Sequence, residues 1–269
     1  MEKTIRFKSI PFIQYSNVPL LFDKGCYLKR FSVLSFGLLA FFSGVLNAEV
    51  HANLSLTNDY VWRSFSKSSG QLALQANIDY EHSSGAYLGT SFSTVEFEGE
   101  NSDDINVEIT PYAGWTFALS DDWRFDAQWS RYLYDGKSAG NEIDYNEFYG
   151  LLNYQDTFTA KIAFSDDYYQ LNHTVTDFEL SYRYPISDHW EWSSGMGYTL
   201  ARSALNYDYI YWNSGLSLYF ENCIFDFRYV DSRYINEKKH ADSYGDVYES
   251  GYFLEDMDAS FVFSLTFGF

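Results

Sequence analysis

The chain has 269 residues, a formal net charge of −19 and an aromatic content of 21%, with a mean hydropathy of −0.30. This acidity argues against a nucleic-acid partner, because binding to phosphates requires a basic face. An aromatic content this high, combined with a negative mean hydropathy, is unusual for a soluble protein with an apolar core. They fit a membrane barrel, in which half of every strand faces water.

The first 48 residues predict a targeting segment. A basic pair at positions 29–30 precedes an apolar stretch that ends at Ala48, and this is the pattern of a secretory signal peptide. Residues 1–28 form an extension in front of it. We therefore predict an amino-terminal extension plus signal peptide over residues 1–48 and a single outer-membrane domain over residues 49–269.

The domain alternates between short gaps and segments with a period of two, which predicts β-strands. No apolar run in it approaches the length of a membrane-spanning helix. Twelve strands are predicted, near residues 50–62, 71–81, 86–97, 105–117, 123–134, 144–154, 158–168, 174–186, 190–200, 208–220, 223–234 and 258–269. The predicted fold is all-β: a single antiparallel transmembrane β-barrel of about 12 strands. A ten-stranded barrel and a soluble sandwich are the alternatives.

The gaps between the predicted strands alternate in length. The short ones are residues 82–85, 119–122, 155–157, 187–189 and 221–222, and the longer ones are 63–70, 98–104, 135–143, 169–173, 201–207 and 235–257. Outer-membrane barrels have short periplasmic turns and longer external loops. The pattern therefore predicts the outer membrane of a Gram-negative bacterium, with both ends of the mature chain on the periplasmic side.

The two faces of the predicted strands differ in chemistry. In the strand near 105–117, Ile105, Val107, Ile109, Ala113, Trp115 and Phe117 oppose Asn106, Glu108, Thr110, Tyr112, Gly114 and Thr116. The strand near 190–200 separates in the same way. Aromatic residues at the predicted periplasmic ends are Trp115, Trp123, Trp190, Trp192, Phe158 and Tyr219. Amphipathic rings at that level predict the girdle of a membrane barrel.

The last predicted strand carries large apolar side chains on one face and small, mostly hydroxylic ones on the other. The outward set is Phe263, Leu265, Phe267 and Phe269. A soluble edge strand with such a face would aggregate, whereas lipid would cover it. The aromatic carboxy terminus resembles the assembly signal of outer-membrane barrels. Membrane lipid and the barrel-assembly machinery are therefore expected partners, and the oligomeric state stays open.

Several segments resemble the TorF-like porins of proteobacteria. They are LTNDYVWR at 56–63, DYEHSSGAY at 79–87, YAGW at 112–115, DYNE at 144–147, FSDDY at 164–168 and DY at 208–209. The likeness covers nearly the whole mature chain. It departs after Arg63, where residues 64–67 read Ser-Phe-Ser-Lys in place of Gly-Ile-Ser-Gln. The resemblance implies an outer-membrane barrel with a pore and no settled solute.

Charged residues of both signs fall on the predicted inward face. The acids are Glu108, Asp126, Glu147, Asp177, Glu179, Glu191 and Asp226, and the bases are Arg124, Lys161, Arg183 and Arg228. Rings of carboxylates in a pore favour cations. We therefore predict passive passage of small hydrophilic solutes or ions, with a mild cation preference. The alternative is a structural or surface-binding barrel, because the same charges can pair and fill a narrow lumen. The loop at 235–257 could fold over or into the mouth.

Catalysis, cofactors and metals are not expected. A lipid-modifying barrel enzyme would need a serine beside an oriented histidine, and His173 is the nearest candidate. Carboxylate clusters such as Asp103 and Asp104 lack the spacing of a calcium loop. No zinc or dinucleotide motif is present.

Overall fold

The computed structural model describes residues 48–97, 105–138, 140–236, 255–256 and 259–269. The predicted extension and signal peptide therefore lie outside the described residues, apart from the backbone of Ala48. The carboxylates Asp103 and Asp104 and most of the predicted loop 235–257 lie outside them as well. Among the residues described, no helix is long and apolar enough to cross a membrane.

Twelve of the strands form a closed barrel. They are β1 (Ala48–Thr57), β4 (Ala73–His82), β5 (Ala86–Phe97), β6 (Ile105–Ala118), β7 (Trp123–Tyr134), β8 (Tyr145–Tyr154), β9 (Phe158–Ser165), β10 (Val175–Pro185), β11 (Trp190–Leu200), β12 (Asp208–Phe220), β13 (Cys223–Ile235) and β15 (Ser260–Gly268). The two-residue strands β2 (Val61–Trp62), β3 (Phe65–Ser66) and β14 (Glu255–Asp256) form a separate small sheet. Two short helical turns, at Tyr168–Gln170 and Arg202–Leu205 (α1), lie in the loops.

Every barrel strand pairs with its neighbours in antiparallel fashion, and β1 closes the barrel against β15. The closing register places Leu56 opposite Leu265 and Asn53 opposite Gly268. This closed, antiparallel, twelve-stranded barrel confirms the predicted fold class. Closure removes the exposed sheet edges that a flat sheet would present, so the terminal strand is paired on both sides.

The alternation of short turns and long connections is present in the structure. The short turns lie between β4 and β5, β6 and β7, β8 and β9, β10 and β11, and β12 and β13. Both ends of the barrel chain lie at the same end as these turns, where the amide of Phe269 donates to the carbonyl oxygen of Ala52. We call this the turn end of the barrel and the opposite end the loop end.

The outer surface of the barrel is apolar. Along β11 the exposed side chains are Trp190, Trp192, Met196 and Leu200, and Glu191, Ser193 and Thr199 are buried. The other strands show the same division, with exposed Leu54, Ile78, Leu88, Phe148, Phe178, Phe225 and Phe263. A continuous band of exposed apolar side chains is stable only if lipid or another apolar surface covers it.

The structure corrects the predicted end of the first strand. Strand β1 ends at Thr57, and not near residue 62. The side chain of Asn58 accepts a hydrogen bond from the amide of Phe263 at 2.6 Å and donates to the carbonyl oxygen of Phe261 at 3.2 Å. The chain then turns inward, and residues 59–68 are all buried.

The predicted external loop at 63–70 is also corrected, since most of it lies inside the barrel. Strands β2 and β3 form a hairpin whose turn residues, Arg63 and Ser64, have φ angles of 49° and 64°. Glycine or asparagine is usual at such positions because other side chains are strained there. The departure from the TorF-like pattern begins at this turn, where serine replaces glycine. We call residues 59–68 the plug hairpin.

Three smaller predictions are wrong as well. Strand β9 ends at Ser165, and Tyr168 is buried inside the barrel instead of continuing the strand. Ile105 is buried and not exposed, because the register of β5 and β6 shifts between Thr94 and Phe97. Tyr219 faces the interior, where its hydroxyl donates to Glu191 at 3.2 Å, so it does not belong to an outer girdle.

Candidate functional site

The interior of the barrel holds all eleven charged residues that the sequence analysis placed there. Ten of them are buried: Glu108, Arg124, Asp126, Glu147, Lys161, Asp177, Glu179, Glu191, Asp226 and Arg228. Arg183 is half-buried. Because they lie on the face opposite the exposed apolar side chains, they line or fill the lumen.

The charges near the turn end are paired with one another. Arg183 binds both carboxylate oxygens of Glu191, at 2.9 and 2.6 Å. Arg124 reaches Asp156 in the turn between β8 and β9 at 3.2 Å. Asp126 accepts hydrogen bonds from wall hydroxyls, including Thr116 at 2.7 Å. Each of these buried charged groups therefore has a hydrogen-bonding or ion-pair partner in the wall or in a turn, as buried charges generally require.

The middle of the lumen holds two further ion pairs. Lys161 donates to Glu179 at 2.8 Å. Arg228 spans several strands: it donates to Asp226 on its own strand at 3.1 Å, to Asn213 on β12 at 2.6 Å and to Ser193 on β11 at 2.8 Å. These long side chains connect neighbouring strands of the wall.

The plug hairpin brings Arg63 into the loop-end half of the lumen. Its Nη1 donates to Glu147 at 2.8 Å, and its Nε lies 3.4 Å from Asp177. The two partners are themselves held by wall side chains, since Tyr149 donates to Glu147 and Tyr211 donates to Asp177. Burial lowers the pKa of Arg63, and the two carboxylates raise it, so that it stays above its ordinary value.

The second cation of the plug hairpin is Lys67. Its ammonium donates to Glu108 at 2.5 Å, and the hydroxyls of Tyr60 and Tyr134 donate to the same carboxylate at 2.9 and 2.7 Å. Burial lowers the pKa of this ammonium below its ordinary value, although the carboxylate of Glu108 opposes that effect. Lys67 and Glu108 are both fully buried, so their contact is closed off from water.

Aromatic rings surround the Lys67 ammonium. Its Nζ lies 4.9 Å from the ring centroid of Tyr132, 5.3 Å from Trp62, 5.4 Å from Tyr60 and 5.8 Å from Tyr134. A cation within about 6 Å of an aromatic face is attracted by the ring quadrupole, and most strongly when it is desolvated. The carboxylate of Glu108 and these rings together form an aromatic cage around the ammonium.

A tyrosine-rich cluster closes the rest of the loop end. It contains Tyr60, Trp62, Phe65, Tyr132, Tyr145, Tyr168, Tyr169, Tyr209 and Tyr211. The loop after β9 contributes Tyr168 and Tyr169, whose rings pack on Tyr145 at 5.1 and 4.6 Å. Because these rings are nearly all fully buried, the lumen in this conformation is closed near the loop end.

The sequence analysis missed Arg63 and Lys67 because their segment was divided between a strand and an external loop. One signal was present: Tyr60, Trp62 and Phe65 place three aromatic side chains where an exposed loop would be polar. The alternation of Tyr60 and Trp62 also fits a continuation of the first strand, as predicted near 50–62. The hairpin also meets the last long loop, since β14 pairs with β3. Glu255 and Asp256 of β14 belong to the loop predicted at 235–257.

The remaining candidates take less part in this arrangement. His173 is exposed in the loop before β10. Within the described ranges, no group of three or more histidine, cysteine, aspartate or glutamate side chains is arranged to hold a metal ion. At the carboxy terminus, Phe263, Phe267 and Phe269 are exposed and Leu265 is half-buried on the same outer face.

The geometry defines a class: a closed twelve-stranded barrel with an apolar outer surface, a charged interior and an inward-folded hairpin. The chain belongs to the Gcw_chp family, described as bacterial proteins of unknown function, whose model matches residues 44–267. That description does not name the TorF-like porins, so this resemblance stays a prediction. A search of curated proteins finds no match.

Solved structures with a similar architecture are outer-membrane barrels. A KdgM porin is 10% identical with a TM-score of 0.47, covering 82% of this chain and 99% of that one. The COG4313 outer membrane channel from Pseudomonas putida F1 is 10% identical with a TM-score of 0.49, covering 82% and 94%. Omp33 of Acinetobacter baumannii is 9% identical with a TM-score of 0.46, covering 83% and 99%. Likeness at this level says nothing about solute or mechanism.

Proposed function

We propose that this protein is a porin-like channel of the outer membrane, for the passive passage of small hydrophilic solutes or ions. The observation that carries the proposal is the inversion of the barrel: its outside is apolar and its inside is charged. Lipid would cover the outside, and a charged interior suits water and ions. In this orientation the turn end faces the periplasm and the loop end faces outward.

Targeting and assembly follow the same proposal. Residues 1–48 would direct export in a Gram-negative bacterium, and the mature barrel would begin near residue 49. The strand that ends in Phe269 would be recognised by the barrel-assembly machinery. Its exposed Phe263 and Phe267 would then face membrane lipid. The support is their exposure on the outer surface beside β1 and β13.

In the conformation described, the channel is closed by the plug hairpin. Opening would therefore require the hairpin to leave the lumen or to shift within it. Among the described residues, one main-chain hydrogen bond to the wall runs from the amide of Glu96 to the carbonyl oxygen of Lys67 at 2.8 Å. Much of its attachment comes from side chains, above all from the ion pairs of Arg63 and Lys67.

A cation preference follows from the charges that the hairpin would leave behind. The inward set predicted from sequence has seven acids and four bases, and the hairpin adds the cations Arg63 and Lys67 and the buried acid Asp59. The closed lumen therefore holds eight acids and six bases within this set. Displacing the hairpin would leave Glu108, Glu147 and Asp177 without the cations that now face them, and carboxylates in a pore attract cations.

Conductance in planar bilayers tests the proposal. We expect rare openings for the unaltered protein and frequent openings after deletion of residues 60–67, with a reversal potential that shows cation selectivity in a salt gradient. Selectivity should weaken as ionic strength rises, since salt screens the lumen charges. Anion selectivity would contradict the charge argument while leaving a pore. No conductance from a deletion variant that is folded, as judged by heat-modifiable gel mobility, would contradict the channel.

The second candidate is a structural or surface-binding barrel that does not conduct. The filled lumen favours it, because wall charges such as Arg228 and Lys161 are already paired with carboxylates on the same or the neighbouring strand. The same deletion experiment separates the two, since such a barrel would stay closed without its hairpin. A lipid-modifying enzyme is the weakest candidate, since it depends on the exposed His173. Substituting His173 with alanine in a phospholipid hydrolysis assay tests it directly.

A further inference from the structure

Two sites on the barrel wall bind cationic side chains that come from the plug hairpin and not from the wall itself. The first is built around Glu108 on β6, and the second around Glu147 on β8 with Asp177 on β10. Both are filled by residues of the plug hairpin, Lys67 and Arg63. Each wall site therefore shows, in the closed barrel, which kind of group it accepts.

The first wall site is shaped for an ammonium group. Tyr132 and Tyr134 contribute rings at 4.9 and 5.8 Å from the Lys67 Nζ, and the hydroxyl of Tyr134 orients Glu108. These groups belong to β6 and β7 and would remain if the hairpin left. An aromatic face beside a carboxylate attracts organic ammonium ions. A small inorganic cation gains less from such rings, because it keeps its water shell.

The second wall site is shaped for a guanidinium or a second ammonium group. Glu147 and Asp177 approach the Arg63 side chain from two strands, and Tyr149 and Tyr211 fix the two carboxylates by donating to them. The fit of Arg63 is incomplete: within the described part of the chain, its Nη2 atom has no hydrogen-bond partner although it is buried. The occupant therefore leaves a donor unused, while wall hydroxyls hold both carboxylates.

We propose that these two wall sites bind solutes that carry ammonium or guanidinium groups, and that Lys67 and Arg63 occupy them as tethered mimics. The inference rests on the proposed channel function and adds a class of solute to it: organic di- and polycations. In the closed barrel the hairpin competes with such solutes. In the open barrel three carboxylates and the rings of Tyr132 and Tyr134 would receive them.

Calorimetric titration of the purified barrel in detergent tests the wall sites without any need for conductance. The probe is spermidine, and Mg²⁺ at matched charge concentration is the inorganic control. The double variant Arg63→Gln and Lys67→Gln should bind spermidine at least about tenfold more tightly than the unaltered protein. Adding Glu108→Gln together with Glu147→Gln, one carboxylate from each wall site, should abolish that gain. Adding Glu142→Gln, an exposed carboxylate on a loop, should leave it unchanged.

Equal spermidine affinity in the double variant and the unaltered protein would overturn the proposal. So would a gain that survives Glu108→Gln combined with Glu147→Gln, or Mg²⁺ binding as tight as that of spermidine. If the double variant does not fold, spermidine should accelerate trypsin cleavage of the unaltered barrel after Lys67, relative to cleavage after the exposed Lys137. No acceleration would overturn the proposal in that case.

A barrel that binds spermidine but never conducts refutes the channel alone, and one that conducts without binding it refutes the wall sites alone.

Discussion

Neutralising Glu147 should release the plug hairpin, because this carboxylate is the nearest partner of the Arg63 guanidinium. The two groups are 2.8 Å apart and fully buried, and the other partner of Arg63, Asp177, is more distant at 3.4 Å. In Glu147→Gln the amide keeps the size of the side chain but removes its charge. The guanidinium then stays in the lumen with one carboxylate at longer range.

The size of the effect follows from the burial of the pair. Breaking a buried ion pair by removing one charge costs about 3–5 kcal/mol. Glutamine can still accept a hydrogen bond from Arg63, so we take the lower end of that range. Since about 1.4 kcal/mol is a factor of ten, the open fraction of the hairpin should rise roughly 100-fold. The exposed pair Lys137–Glu142, 3.8 Å apart, should contribute about 0–1 kcal/mol.

Trypsin provides the assay, because the hairpin carries its own cleavage sites. Arg63 and Lys67 are fully buried, so cleavage after them requires the hairpin to open. At low protease concentration the rate follows the open population. We expect cleavage after Arg63 and Lys67 to accelerate in Glu147→Gln but not in Glu142→Gln, with cleavage after Lys137 as the internal reference. If the two variants are cut at equal rates, the ion pair does not hold the hairpin.

Three further predictions concern the barrel itself. Gly197→Val should lower the temperature of the heat-modified gel shift, because a Cβ at this position would overlap the ring of Tyr211; an unchanged shift temperature would contradict this packing. Deletion of Phe269 should reduce the yield in outer-membrane fractions without impairing export, and a normal yield would argue against the assembly signal. Arg228→Met should lower the shift temperature by the order of 10 °C, since a buried pair is broken at about 3–5 kcal/mol. The exposed Arg233→Met is its control, and an equal effect of both would refute the argument.

The sequence by itself determined the barrel. Period-two alternation and the lengths of the gaps predicted twelve antiparallel strands, and the structure closes twelve. It also determined which way the side chains face, as in β11, where Trp192 is exposed and Glu191 is buried. These features are local, because successive side chains of an extended strand point alternately to its two faces. The pairing of β15 with β1 also follows from the order of the strands, because the last strand of a closed barrel must pair with the first.

The tertiary structure decided what fills the lumen. The run from Tyr60 to Phe65 could continue a strand or fold inward, and its alternation is the same in both cases. The contacts that settle the matter join residues far apart in the chain: Arg63 meets Glu147 over 84 positions, and Lys67 meets Glu108 over 41. No local period encodes such pairs. Inside the barrel, the buried cations of the hairpin meet the carboxylates of Glu147 and Glu108, and such pairing offsets the cost of burying a charge.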